Sequence, residues 1–212
     1  MAEVTEFITY TLKHPDDDSS VAFDSVVSTL TSLSGVTAVH HGTRIEDPAI
    51  HLIIVSWSSH DAFTDFAASE SYTPWLANLK TLAASPAFYQ AHLDRSPAQV
   101  LDAPCTEIMV AYGIEKPEFT ENLKLFSDRM TEGGKAGALK GWHASSQGEV
   151  TTPIARDAGG TPGDAALLLI GWDSKAAHEA AKAAPGPIRD NIDLLRKAVD
   201  SVIMFHSILK KQ

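Results

Sequence analysis

Nine histidines stand in this chain of 212 residues, and several recur at matched places. Imidazole titrates near neutrality, so it is the side chain best suited to moving protons at cellular pH. His92 and His206 lie in the apolar, strand-like segments AFYQAHL and VIMFHSIL, and His41 and His143 lie in two further segments that share a grammar, GVTAVHHG and GALKGWHA. His51 opens the segment HLIIVSW, whose partner ALLLIGW begins at Ala166 and lacks the histidine. Tyr10 and Tyr112 sit on early strand-like runs and Tyr72 near a helical one. A phenol hydroxyl there can hydrogen-bond a phenolate or enolate oxygen. The set that can carry acid–base chemistry is therefore His51, His92, His206 and Tyr72, with Tyr10, Trp57, Tyr112, Trp142 and Trp172 as substrate-binding walls.

Other chemistries lack their residues. No glycine-rich phosphate loop, G-x-S-x-G or Ser-His-Asp order occurs, and the single cysteine, Cys105, lies in DAPCTE. No metal site is expected. His40 and His41 are adjacent on a strand and point to opposite faces, and Asp16, Asp17 and Asp18 read as a solvated helix cap rather than a cation loop. His178, in SKAAHEAAKAA, reads as a surface helix residue.

The elements that must position these groups follow from an internal repeat. Tyr10 and Tyr112, Pro15 and Pro117, Gly35 and Gly137, and His41 and His143 all differ by 102, whereas Trp57 and Trp172 differ by 115. The difference of 13 residues is assigned to an insertion in the Gly/Pro/Thr-rich run 149–163, a candidate lid or loop. A unit of about a hundred residues is a domain rather than a solenoid repeat. The division is residues 1–98, a linker 99–104, and residues 105–212.

Each half reads β-α-β-β-α-β. Short strands at Phe7–Leu12 and Glu107–Tyr112 precede amphipathic helices that begin near Asp18 or Pro117 and end at Gly35 or Gly133-Gly134. Second strands follow at Thr37–Thr43 and Leu139–Ser145. Third strands are apolar on both faces, and the next helices are capped by Ser58-Ser59 or Asp173-Ser174. Later helical stretches carry Trp75, Leu76, Leu79 and Leu82, or Ile188, Ile192, Leu195 and Val199. A sheet with helices on one face leaves an apolar face bare, so two such sheets are expected to pair.

Composition bounds the setting. A net charge of −10 disfavours nucleic acid and anionic membranes as partners. The acidic start MAEVTEFITY is unlike a signal peptide, no apolar run reaches a spanning length, and one cysteine excludes an internal disulfide. The expected place is the cytosol.

The strand VHHGTRIED, the pair HLIIVSWSSHDAF and LLLIGWDSKAAHEA, and the closing strands with His92 and His206 together resemble the dimeric α/β-barrel superfamily, in particular its antibiotic-biosynthesis-monooxygenase group and stress-responsive relatives. The resemblance covers nearly all of both halves. It implies an α+β fold of two tandem ferredoxin-like domains, their four-stranded antiparallel sheets packed as an intramolecular pseudo-dimeric barrel, with homodimerisation open. It further implies a pocket between sheet and helices in each half, and a cofactor-free monooxygenase of an aromatic or polyketide-like substrate in secondary metabolism. A cyclase or lyase that needs no O₂, and a non-catalytic ligand-binding or stress-related protein, are the alternatives. His51 occupies the position where cyclases of the group carry a functional histidine. His178 falls near where haem-degrading relatives place an axial ligand, but the partner residues of that subgroup are missing and no cofactor is expected.

Overall fold

The computed structural model describes residues 3–15 and 20–212. The acidic run Asp16–Asp18 lies outside the described residues. Two compact units emerge, residues 1–90 with 210–212, and residues 91–209.

The first unit runs β1 (Val4–Leu12), α1 (Ser20–Thr31), β2 (Val36–Thr43), β3 (Ile50–Trp57), α2 (His60–Ala67), α3 (Tyr72–Leu82) and β4 (Ala83–Leu93). Its strands lie in the order β4-β1-β3-β2. This is the ferredoxin-like β-α-β-β-α-β arrangement. Residues Ala91–Leu93 of β4 belong to the second unit, where they pair with Gly148–Val150. A short helix, α4 (Ala98–Leu101), overlaps the segment 99–104, with Val100 and Leu101 buried.

The second unit repeats the pattern with β5 (Cys105–Ile114), α5 (Glu118–Lys135), β6 (Trp142–Val150), β7 (Ala165–Trp172), α6 (Lys175–Ala183), α7 (Pro187–Asn191) and β8 (Val199–Ser207), in the order β8-β5-β7-β6. A two-residue strand, β9 (Lys210–Lys211), then pairs with β2. The apolar third strands behave as their sequences demand, and β7 is buried along its whole length.

Each unit builds its own core on the helix-facing side of its sheet. Val4, Ile8, Ile53, Val55 and Trp57 meet Val26, Leu30, Phe66 and Leu79 in the first. Met109, Leu168, Ile170 and Trp172 meet Phe119, Leu123, Phe126 and Met130 in the second. Full burial of such side chains contributes about 1.5–3 kcal/mol each before entropy is charged. The capping expectation holds: the Ser59 and Ser174 side chains accept hydrogen bonds from the N–H groups of Ala62 and Ala177. No helix among the described residues is long and apolar enough to cross a membrane.

Strand register corrects the gapless repeat. Val4 and Cys105 stand opposite the two third-strand tryptophans on one side, and Val36 and Trp142 stand opposite them on the other. The true offsets are therefore 101 on the first strand, 106 on the second and 115 on the third. Tyr10 corresponds to Ala111, not Tyr112. His41 corresponds to Gln147, not His143, and Trp142 matches Val36 rather than His40. Part of the extra length lies in α5, which has 18 residues against 12 in α1, and the remainder in the loop before β7.

Gly133 and Gly134 do not end α5. They lie within its last turn, because a Cβ on Gly134 would sit 2.1 Å from the Trp142 ring and one on Gly133 2.5 Å from Pro187. Leu139 is a buried residue ahead of β6, not its first. Val199 starts β8, so the helical stretch before it stops at a 3-10 turn, Ile192–Arg196.

Candidate active site

Along β5, Cys105, Glu107 and Met109 alternate onto the helix-facing side. Glu107 is thus placed inside an apolar layer, opposite Ile170 on β7 and His206 on β8. A buried carboxyl needs partners. One is Trp172, whose indole Nε1–H donates to Glu107 Oε2 at 2.9 Å.

The other partners come from α6 and β8. The Ser174 cap starts α6 so that His178, one turn in, faces the sheet and is only 4% exposed. Its ring stacks on Trp172 with centroids 5.1 Å apart at 19°. Its Nδ1 lies 2.8 Å from His206 Nε2 and 3.5 Å from Glu107 Oε2. A neutral imidazole carries one N–H, so the short contact between the rings holds a proton on one of the two nitrogens. Burial pushes the Glu107 carboxyl up to about 7, against the Trp172 hydrogen bond and the charge of Lys182.

Glu107 and His178 of this cluster line a cavity of about 220 Å³ between sheet and helices of the second unit. Met109, Leu168 and Ile170 line it from the sheet, and Phe126, Ile188, Ile192 and Leu195 from the helices and turn. Val202 and Met204 of β8 stand at its edge, partly exposed, with Lys182 and Arg196 nearby. An apolar pocket with a few convergent polar groups is what a small organic ligand requires.

The first unit keeps the frame without the histidines. Trp57 Nε1 donates to Glu6 Oε2 at 3.0 Å, and burial pushes Glu6 up to about 7. Gln90 hydrogen-bonds the same carboxyl. Counting from the Ser59 and Ser174 caps, the residue matching His178 is Phe63, which packs edge-on against Trp57.

Of the sequence-derived candidates, the structure brings together His206 and Trp172, joined by Glu107 and His178. His178 is buried and not the surface residue that its alanine-rich helix suggested. His51 and Tyr10 form a separate pair in the first unit, stacked at 5.3 Å, where burial pushes the tyrosine up to about 12 and the histidine below its usual value. His41 is lowered by burial, Lys210 and His51, in that order. Tyr72 packs on Phe66 and Trp75. His92 is exposed, opposite Glu149, and Tyr112 is half-buried on the sheet face opposite Met109. Trp57 is fully buried beneath α2, and Trp142 covers Gly134.

Sequence reasoning missed both glutamates. The available signal was an acid inside an otherwise apolar strand in both copies, Thr5-Glu6-Phe7 and Thr106-Glu107-Ile108.

The fold, over the whole chain, is shared with solved structures of low sequence identity. No protein-family model and no curated protein matches the sequence. Among solved structures, an "anthrone oxidase-like protein" is 14% identical with a TM-score of 0.72, covering 100% of this chain and 93% of its own. A "putative monooxygenase" from Lactobacillus acidophilus NCFM is 9% identical with a TM-score of 0.65, covering 100% and 96%. A "putative chlorite dismutase" is 13% identical with a TM-score of 0.58, covering 99% and 96%.

Proposed function

We propose that this protein is a cytosolic oxygenase of small apolar aromatic molecules, working by acid–base chemistry in the second unit. The observation that carries the reading is the buried Glu107–His178–His206 cluster at the wall of an apolar cavity. Structural neighbours described as an anthrone oxidase-like protein and a monooxygenase favour oxygen chemistry over the cyclase or lyase alternative.

His178 lines the cavity and takes a proton from an activated methylene or phenol of the substrate, while His206 and Glu107 hold its orientation and share the charge. The resulting carbanion adds O₂ to give a hydroperoxide after reprotonation. Loss of water then leaves a carbonyl, so one oxygen atom enters the product and the other leaves as water. Trp172 fixes the carboxyl and stacks on the base. The apolar walls orient the ring system and exclude bulk water.

Anthrone is the probe. Metal-stripped protein should consume one O₂ per anthrone converted, and Val202→Trp, a change at the partly exposed cavity edge, should lower kcat/KM roughly tenfold or more without lowering Tm. Turnover of a cognate substrate undiminished under argon sinks the oxygenase and leaves the cyclase or lyase reading.

A further inference from the structure

Glu107 and His178 of the cavity wall, with His206 against His178, supply two imidazoles and one carboxylate, the donor set that binds zinc in hydrolases and iron in non-haem oxygenases. Their donor atoms all lie within 4.8 Å of one another, and all three residues are buried. Ligands ~2.0–2.2 Å from a metal lie roughly 2.8–3.6 Å apart at octahedral or tetrahedral angles. The two separations of 2.8 Å and 3.5 Å fall within that range.

We propose that Glu107, His178 and His206 form a binding site for a divalent transition-metal ion, which takes the place of the proton now shared between the rings and thereby blocks the acid–base route. The metal site stands on the ligand geometry alone; only its inhibitory effect rests on the function proposed above.

Two features support a ligand set rather than a chance cluster. The carboxylate is oriented by a group outside the set, since Trp172 Nε1–H holds Glu107 Oε2, as partners of metal-bound carboxylates do. Glu107 and His178 also both line the cavity, so the site adjoins it. The duplication adds an internal comparison. The first unit has the same glutamate–tryptophan pair but phenylalanine in place of His178, and its carboxyl is hydrogen-bonded by a glutamine. It offers one ligand, so the chain should bind one ion and not two.

Co²⁺ is the probe, because bound cobalt reports its ligands through visible absorption. Titration of metal-stripped protein should saturate at one equivalent with the intense bands of a low-coordinate site. His178→Phe, which gives the second unit the residue of the first, and His206→Gln should each abolish these bands while circular dichroism and Tm show the fold intact. Trp172→Phe should keep the bands and weaken binding about 10–100-fold. Absence of saturable bands, or bands that survive both histidine replacements, would overturn the site. Cobalt bound through these residues with oxygen uptake undiminished or raised would overturn the blocking role and the acid–base assignment, and leave the metal site standing. Uptake by metal-stripped protein that cobalt extinguishes supports both.

Discussion

Glutamates 6 and 107 carry the same chemistry in different company. Each is buried, each accepts a hydrogen bond from a fully buried tryptophan, and each is pushed up to about 7 by desolvation. For Glu6 the consequence is a pH-dependent stability. A carboxyl whose folded pKa lies above its unfolded value binds more protons when folded, so its contribution is present at low pH and is lost as pH rises from about 4.5 through about 7. The span corresponds to an upper limit of roughly 3 kcal/mol. Glu6→Gln keeps an acceptor for Trp57 without the titration, so urea unfolding at pH 5 and pH 8 should show a smaller drop than the parent. An equal drop in both proteins refutes the assignment. The histidine of greatest interest in the sequence, His51, meets Tyr10 far from the Glu107 cluster in sequence and in a different unit. His51→Ala should change oxygen uptake less than twofold, and a hundredfold loss would move the chemistry to the first unit.

Helix α6 decides whether the cluster exists. It is nine residues long, rich in alanine, and its only buried residue is His178. Its direction depends on the Ser174 cap. Ser174→Ala should cost about 1 kcal/mol of stability. If α6 positions the base, oxygen uptake should fall by more than the small loss of folded protein explains, which a comparison of Tm with kcat tests. The strand and helix order and the serine caps were legible because they follow from hydrophobic period and local hydrogen-bonding chemistry. The pairing register was not. Counting residues treats helices of the two copies as equal, but α5 continues past Gly133-Gly134, where Pro187 and Trp142 close over the glycines. That shift moved His143 off the position of His41, whereas Tyr112, which precedes α5, is one residue off the position of Tyr10 in the first-strand register itself.

Across the whole chain, duplication has produced one frame with two contents. In the first unit the glutamate–tryptophan pair meets a glutamine and a phenylalanine, and in the second it meets two histidines. The double change His178→Phe, His206→Gln should therefore remove all turnover and not half of it, measured as oxygen uptake per mole of folded protein. Half-activity would mean that the first unit works too. The amino-acid sequence by itself determined the tandem repeat, the β-α-β-β-α-β order of each half and the wealth of candidate bases, because periodicity and composition are properties of neighbouring residues. Only the tertiary structure decided which bases meet. Glu107, His178 and His206 come from a strand, a helix and a second strand, and strand pairing together with the placement of α6 brings their donor atoms within 4.8 Å of one another.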